Sequence, residues 1–267
     1  MTSPSPPAHL LDATTSRLRA AGCVAAEEEA AELLASTNGD AGQLEDLVTR
    51  RCTGEPLAWL VGSVQFCGVR VQVQPGVYVP RWQSETLATA AGDLLPLHGL
   101  AVDLCTGSGA IAKVMATRRP EARILATELD PLAVACARAN GVQVVAGDMA
   151  AGLTGVMAGT VDVVVAVVPY VPTGALHLLP RDVTTFEPRG ALDGGDGGLR
   201  FLSQAVREAA ILLQPSGWLL LELGGDQAQL LAPLLDELGY EKGVALHDDE
   251  GDLRGLIVHR TKGLPPV

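Results

Sequence analysis

The chain has 267 residues, of which 48% are hydrophobic, enough to build a buried core in one large domain or two smaller ones. Its 31 acidic residues exceed its 19 basic residues, and the formal net charge of -12 disfavours an extended contact with a phosphate backbone. The composition therefore predicts a globular protein and argues against nucleic acid as its main partner.

The sequence carries no signal for export, for a membrane or for a metal. The first residues, MTSPSPPAHLLD, lack the basic and then apolar pattern of a secretory signal, and the longest apolar run, Val163 to Val168, is too short to cross a bilayer. The five cysteines are isolated from one another and have no histidines at metal-binding spacing, which is typical of reduced thiols. We therefore expect a soluble, cytoplasmic protein without a metal site.

The first 63 residues show only helical patterns. Residues 1–7 are rich in Ser and Pro and are expected to be disordered. Apolar positions recur at helical spacing from His9 to Ala35, which predicts two helices, and Ala41 to Cys52 predicts a third. Gly54-Glu55-Pro56 then breaks the pattern. We expect an N-terminal helical domain at residues 1–63 that either docks a partner or serves as a capping or dimerising unit.

A strand pattern follows the helical region. The sequence from Val64 to Val79, VQFCGVRVQVQPGVYV, alternates apolar and polar residues. Such alternation predicts a β-hairpin, and Pro75-Gly76 is a dipeptide that favours its turn. We assign residues 64–83 to a hairpin linker and residues 84–267 to the main domain.

Helical and strand patterns alternate from Ser84 onward. The predicted strands are Ala101–Leu104, Arg123–Thr127, Val142–Ala146, Val161–Val168 and Trp218–Leu223, with a terminal antiparallel pair near Tyr240–His247 and Gly255–His259. The predicted helices are Ser84–Leu95, Ala110–Arg118, Pro131–Asn140, Leu199–Leu213 and Gln227–Leu238, and a long loop is predicted from Val171 to Gly198. This alternation predicts an α/β domain with a mostly parallel sheet and helices on both faces.

A turn of small residues follows the first strand of this domain, in the stretch AVDLCTGSG. Gly107 and Gly109 allow a ligand to approach the backbone, and we expect the Asp103 carboxylate to face the same crevice. A dinucleotide fingerprint would need glycine where Cys105 stands and a third glycine further on. The spacing favours the glycine turn of S-adenosylmethionine (SAM) methyltransferases, with a purely structural turn as the alternative.

Acidic residues end the next two strands. Glu128 ends RILATELD and is placed to accept hydrogen bonds from both ribose hydroxyls of a nucleoside, and Asp148 ends VQVVAGD and is placed near an adenine amino group or the ribose. Together with Asp103 they lie at the carboxyl ends of three successive strands, where open α/β sheets bind ligands. One nucleoside pocket explains all three, and solvated acids at strand ends are the alternative.

Several motifs then follow one another in an order specific to one family. They are GEPLAWLVG, VPRWQSE, DLCTGSGAIA, FEPRGALDGGDGGL and WLLLELG, together with Glu128, Asp148 and the Pro169-Tyr170 end of the fourth strand. From Gly54 onward the chain resembles the HemK/PrmC-type protein-(glutamine-N5) methyltransferases, which methylate the glutamine of the Gly-Gly-Gln loop in peptide-chain release factors. The resemblance implies an α/β, Rossmann-like SAM-dependent methyltransferase domain with a mostly parallel seven-stranded sheet, behind a small N-terminal helical domain.

The same resemblance implies a set of site residues. SAM would be the cofactor and S-adenosylhomocysteine the product, in a pocket formed by Asp103, Cys105, Thr106, Gly107, Gly109, Ile111, Glu128, Leu129, Asp148 and Met149. The substrate would be held by Arg81, Val167, Val168, Pro169, Tyr170 and Glu187, with Val167, Pro169 and Tyr170 at the catalytic positions. A release factor would be the protein partner, docked through the N-terminal helical domain.

One departure from the family concerns the methyl acceptor. The family has Asn-Pro-Pro-Tyr where this chain has Val167 to Tyr170, and the side chain of Val167 cannot accept a hydrogen bond. A glutamine amide nitrogen is a poor nucleophile because its lone pair is delocalised, so hydrogen bonds to its N–H groups must favour a pyramidal nitrogen. Loss of one such contact costs about 10²- to 10³-fold in rate, by analogy with oxyanion-hole deletions.

Three functions therefore remain open at the level of sequence. The first is a release factor glutamine methyltransferase, and the second is a methyltransferase with a changed methyl acceptor, such as the amine or hydroxyl of a small molecule. The third is a catalytically silent SAM-binding module. An adenine-N6 nucleic-acid methyltransferase would share the Pro-Tyr ending, but the acidic charge of the chain disfavours it.

Overall fold

The computed structural model describes residues 8–241, 243–248 and 250–261. The disorder predicted for residues 1–7 therefore lies outside the described residues. The chain begins with four helices, which are α1 Ala8–Ala20, α2 Ala26–Ser36, α3 Ala41–Cys52 and α4 Leu57–Val61. The first three confirm the sequence prediction. The fourth was missed, because Pro56, interpreted as a break, is the residue at which a new helix starts.

These helices pack around an apolar cluster of their own. Leu18, Leu33, Leu47 and Val48 are buried at its centre. An ion pair between Arg51 and Glu29 joins α3 to α2, with Nε and Oε2 2.6 Å apart. The division of the chain at residues 63 and 83 stays a prediction.

A two-stranded hairpin follows, but its turn is not where the sequence predicted it. Strands β1 Ser63–Phe66 and β2 Val69–Gln72 are antiparallel and connect through Cys67 and Gly68, so the prediction of a turn at Pro75-Gly76 was wrong. Both turn residues have positive φ, as a two-residue hairpin turn requires. Cysteine is not typical of that conformation, and its amide is held by Glu85 Oε1 at 3.0 Å. Pro75 and Gly76 form a separate turn beyond β2.

The main part of the chain is built on a seven-stranded sheet of order β5-β4-β3-β6-β7-β9-β8. Its strands are β3 Leu100–Leu104, β4 Arg123–Glu128, β5 Val144–Ala146, β6 Val161–Ala166, β7 Leu213–Glu222, β8 Val244–His247 and β9 Leu253–His259. The first five run parallel, and β9 is antiparallel to both of its neighbours. The predicted mostly parallel sheet is thus confirmed, although β6 ends two residues earlier than predicted.

Helices cover both faces of this sheet. They are α5 Glu85–Leu94, α6 Ala110–Arg118, α7 Pro131–Ala139, α8 Thr154–Met157, α10 Arg200–Leu212 and α11 Gln227–Glu237, whereas α9 Arg181–Phe186 lies against Gly54 and Trp59. On one face Val163 and Leu220 pack with Leu87 of α5 and Met115 of α6. On the other face the sheet packs against α10 and α11. Among the described residues, no helix is both long and apolar enough to span a membrane.

The segment predicted as a long loop contains α9 and three short 3-10 helices at Thr173–Leu178, Arg189–Ala191 and Asp196–Gly198. It folds back onto the end of β6. The Val171 amide donates to the Leu192 carbonyl at 3.0 Å, and the Gly194 amide donates to the Val171 carbonyl at 2.8 Å. Gln227 Nε2 donates to the Tyr170 carbonyl at 2.8 Å and to the Gly197 carbonyl at 3.1 Å. The backbone at Tyr170 is therefore held both by the segment that follows it and by α11.

Candidate active site

The glycine turn after β3 has one crowded glycine and one open glycine. A Cβ atom at Gly109 would lie 2.8 Å from Val142 Cγ2 and 3.2 Å from Ala137 Cβ, so packing against α7 and the residues that follow it requires glycine there. A Cβ atom at Gly107 would meet no described atom within 4 Å. Gly107 also has a positive φ of 57°, which glycine adopts without strain. The open side of the turn is therefore accessible to a ligand at Gly107.

Asp103 does not face the crevice as we expected. It is 1% exposed, and its Oδ2 accepts hydrogen bonds from the Thr106 hydroxyl at 2.5 Å and from the Ala112 amide at 3.1 Å. The carboxyl group therefore ties the turn to the first turn of α6. Burial raises the pKa of Asp103 to about 7, against the effect of these two hydrogen bonds.

This burial predicts a pH dependence of stability. The pKa of Asp103 is about 7 in the folded protein and lies near 4 in the unfolded chain, so the folded state binds more protons between these values. The stabilisation is complete below about pH 4 and is lost as the pH rises through about 7, by on the order of a few kcal/mol. We expect Asp103→Asn to show a smaller fall in the free energy of unfolding over this range. Urea unfolding at several pH values measures it, and parallel curves for the two proteins would contradict the assignment.

Glu128 holds the edge of the site together. Its Oε2 accepts from the Gly107 amide at 2.8 Å, and its Oε1 accepts from the amides of Leu129 at 2.8 Å and Asp130 at 2.9 Å. Each carboxylate oxygen has two lone pairs, so Oε1 is fully used and Oε2 retains capacity for one ribose hydroxyl. The structure thus brings Glu128 and the glycine turn into direct contact.

The other predicted cofactor residues lie around this contact. The Gly147 amide donates to the Glu128 carbonyl at 2.9 Å. The exposed Asp148 is the next residue after Gly147, so it lies close to the end of β4. Leu129 is 65% exposed beside the turn. Cys105 Sγ lies 3.3 Å from the Met149 sulfur, and both Met149 and Ile111 are buried. The individual roles of these residues stay predictions.

The predicted catalytic residues follow the end of β6. Val167 is half-buried on the face that carries Val165 and Leu220, whereas Val168 is buried on the opposite face. The Val167 side chain offers no hydrogen-bond acceptor. The Val168 carbonyl has no hydrogen-bond donor partner within the described part of the chain. The Val167 and Pro169 carbonyls likewise accept no hydrogen bond among the described residues, so this segment presents backbone acceptors and an apolar side chain.

A buried carboxyl group that the sequence analysis missed lies beside this segment. Glu222 ends β7 and is 3% exposed, and its Oε1 accepts from the Tyr170 hydroxyl at 3.0 Å. Its Oε2 has no partner among the described residues. Burial raises the pKa values of both Glu222 and Tyr170. The available signal was the motif WLLLELG, in which one acid ends a wholly apolar strand.

The two predicted rim residues pair with each other. The Arg81 guanidinium donates to Glu187 Oε1 and lies 5.2 Å from the centre of the Tyr78 ring. Glu187 is 6% exposed, and its Oε2 accepts from the Val79 amide at 3.3 Å. The pair lines a cavity of about 220 Å³ together with residues of the N-terminal helices, including Arg51 and Leu57. Arg81 therefore neutralises a buried carboxylate at a cavity between the N-terminal helices and the part of the chain that forms the sheet.

Proteins of known function resemble this chain over most of its length. A release factor glutamine methyltransferase of Moorella thermoacetica is 38% identical over 231 residues, 82% of this chain and 80% of the relative. The one from Geobacter sulfurreducens is 34% identical over 211 residues, 77% and 73% of the two chains. A 4-amino-L-phenylalanine/4-methylamino-L-phenylalanine methyltransferase of Streptomyces pristinaespiralis is 38% identical over 203 residues, 72% and 69% of the two chains. No family model matches.

Solved structures share the fold. The E. cuniculi Mtq2–Trm112 complex, responsible for methylation of the eRF1 translation termination factor, contains a chain that is 24% identical. The likeness covers 70% of this chain and 99% of that one, with a TM-score of 0.52. A methyltransferase from Pyrococcus furiosus is 23% identical, with a TM-score of 0.50 over 73% of this chain and 90% of that one.

The sheet order, the glycine turn and these relatives define a SAM-dependent methyltransferase with a Rossmann-like domain. SAM is its cofactor. More particularly, the chain belongs to the family of release factor glutamine methyltransferases. The resemblance that the sequence motifs indicated is thereby confirmed.

Proposed function

We propose that the chain transfers the methyl group of SAM to the nitrogen of an amine held at the end of β6. Val167 is the observation that carries this proposal, because it stands where the family has a side-chain hydrogen-bond acceptor. A carboxamide nitrogen needs hydrogen bonds that draw its lone pair out of conjugation, whereas an amine keeps its lone pair available. The unpaired backbone carbonyl of Val168 is an acceptor that can orient an amine N–H.

The relative from Streptomyces pristinaespiralis supports an amine as methyl acceptor. The substrates in its name are aromatic amines, and it shares the same 38% identity with this chain as the relative from Moorella thermoacetica, over 203 and 231 residues respectively. An amine therefore lies within the range of methyl acceptors that this scaffold accommodates. The half-buried, apolar Val167 is also compatible with an aromatic ring next to the reacting nitrogen.

The glutamine of a release factor is the second candidate. The relatives from Moorella thermoacetica and Geobacter sulfurreducens favour it, and the chain keeps the Pro169-Tyr170 ending and the free carbonyl of Val168. In this case the N-terminal helices α1 to α4 are the candidate docking surface for the release factor. Either function agrees with a cytoplasmic location.

Residues at the carboxyl edge of the sheet fit the cofactor. The open turn at Gly107 leaves room for the amino-acid part of SAM, Glu128 Oε2 has a free lone pair for a ribose hydroxyl, and the exposed Leu129 offers apolar surface to the adenine. When bound, SAM supplies a methyl group activated by its sulfonium. Catalysis then depends chiefly on holding the methyl-accepting nitrogen in line with it.

Replacement of Glu128 tests this cofactor site. We expect Glu128→Ala to weaken SAM binding by about 1 to 3 kcal/mol, because the ribose hydroxyls lose their hydrogen-bond acceptor. Calorimetry measures the change. Glu121→Ala is the matched control, since Glu121 precedes the other end of β4 and, among the described residues, its carboxylate contacts only the exposed His98. Equal SAM affinities in the wild type and both variants would refute the assignment.

Labelled SAM tests the proposed reaction. The protein is incubated separately with 4-amino-L-phenylalanine and with a release factor that contains a Gly-Gly-Gln loop. We expect label on the amine. Label on the release factor alone would establish the second candidate, and SAM binding without transfer to either would favour a silent module.

A further inference from the structure

The carboxyl group of Glu222 is the strongest unexplained feature near the site. It is buried in the sheet edge, where its Oε1 accepts from the Tyr170 hydroxyl and the buried Ser84 hydroxyl lies close enough to counter part of the rise in pKa that burial causes. The other oxygen, Oε2, finds no partner in the described residues. Buried polar atoms are almost always paired in folded proteins, so an orphaned hydrogen-bond acceptor at a ligand-binding edge calls for a donor from a ligand.

The strand register puts this carboxyl group beside the catalytic segment. Ala166 of β6 pairs with Leu221 of β7 in parallel register, so the next residues, Val167 and Glu222, are lateral neighbours. Laterally paired residues of a sheet project from the same face. Val167 packs with Val165 on the face that also carries Leu220, two residues before Glu222. The two side chains therefore stand next to each other at the carboxyl edge.

We propose that Glu222 Oε2 accepts an N–H of the methyl acceptor and takes its proton during methyl transfer. The inference rests on one part of the proposed function, namely that a nitrogen held at the end of β6 is methylated. The lone pair of that nitrogen forms the new N–C bond, and the C–S bond breaks with its electron pair going to sulfur. The nitrogen then carries the positive charge and releases a proton to the Glu222 carboxylate, which becomes a carboxylic acid.

The surroundings of Glu222 favour a base of this kind. Burial raises its pKa towards neutrality, where a general base is most effective. The polar groups facing it are the Ser84 hydroxyl before α5, Tyr170 after β6, Tyr78 before α5 and Arg254 of β9. Arg254 is already bound to Asp248, with Nε and Oδ2 2.7 Å apart. Glu222 lies in WLLLELG, one of the motifs that this chain shares with the family, so it is not a substitute for the lost asparagine. The proposed role of Glu222 therefore applies to an amine and to a glutamine alike.

A purely structural role for Glu222 is the alternative, in which it only anchors the Tyr170 hydroxyl. The two roles differ in what Glu222→Gln does, because glutamine keeps the size and one oxygen but cannot take a proton. We expect this variant to lower kcat/KM by about 10²-fold or more and to remove the loss of activity at low pH. Tyr170→Phe, which removes only the anchored hydroxyl, should keep that loss at low pH.

Asp162→Asn provides a matched control. Asp162 lies on β6 at the opposite edge of the sheet, and its Oδ2 accepts from the Leu100 amide at 2.8 Å. It should leave both kcat/KM and the pH profile unchanged. Calorimetry with S-adenosylhomocysteine confirms that each variant still folds and binds the cofactor product.

The assay uses 4-amino-L-phenylalanine and a release factor in parallel, so that the two proposals fail separately. Label on the release factor alone overturns the amine proposal, while the comparison of Glu222→Gln with wild type still decides the role of Glu222. An unchanged pH profile in Glu222→Gln overturns the proposal that Glu222 is the base.

If neither acceptor is labelled, calorimetry measures the binding of 4-amino-L-phenylalanine to the complex of the protein with S-adenosylhomocysteine. Weaker binding to Glu222→Gln than to the wild type supports the hydrogen bond from the amine to Glu222. Equal binding to the two proteins, or no binding to the wild type, overturns it.

Discussion

Val167→Asn is expected to raise methylation of a release factor glutamine by about tenfold or more, within the range that such hydrogen bonds supply. The new carboxamide would stand beside Glu222 at the end of β6 and accept an N–H from the substrate amide. Activity on the amine should fall, because a polar group is introduced among the apolar side chains around Val165 and Leu220. The two activities are measured with labelled SAM and each methyl acceptor.

Val167→Leu is the matched control, since it changes the size of the side chain and adds no hydrogen-bond acceptor. It should not raise glutamine methylation, and neither variant should change the affinity for SAM. A rise in amine methylation with Val167→Asn, without any gain on the release factor, would contradict the account. Equal gains in both variants would show that side-chain size, and not hydrogen bonding, controls the site.

Gly198→Ala is expected to lower the rate of methyl transfer by about 10²-fold or more. Gly198 lies against the catalytic segment, and a Cβ atom there would overlap the Tyr170 carbonyl and the Gln227 side chain. Tyr170 and the adjacent Pro169 must then move, and a displacement of about 1 Å at a reacting centre costs about 10²-fold in rate. Activity and urea unfolding are measured together, because the same clash lowers stability.

Gly197→Ala separates this clash from backbone strain. Gly197 also has a positive φ, 59° against 71° for Gly198, so both variants carry a strain of about 1 to 2 kcal/mol. A Cβ atom at Gly197 would approach only the Leu199 side chain, at 3.9 Å. Similar activity losses in the two variants would show that the contact with Tyr170 does not position the site.

The sequence predicted the sheet well because its signals are local. Each parallel strand is a short apolar run between helical patterns, and the turn at Gly107 and Gly109 is visible in composition alone. The hairpin turn was missed because Cys67 adopts a positive φ that its side chain does not announce, and Glu85, far along the chain, holds its amide. Turn chemistry was therefore overridden by a tertiary contact.

Contacts between distant segments explain what the sequence could not predict at the site. Asp103 was expected to face the ligand, but the Thr106 hydroxyl and the Ala112 amide need a buried hydrogen-bond acceptor and turn it inward. The sequence did not indicate Glu222 as a site residue, because its position beside Val167 follows from the register of β6 and β7. Residue type identified candidate groups, and the pairing of strands decided which of them meet.

A competition between two methyl acceptors tests the central claim most directly. Wild-type protein is given labelled SAM with equal concentrations of 4-amino-L-phenylalanine and a release factor, so the partition of label reports the ratio of the two kcat/KM values. The account predicts that label goes predominantly to the amine, and that Val167→Asn shifts it towards the release factor. Predominant labelling of the release factor by the wild-type protein would contradict it.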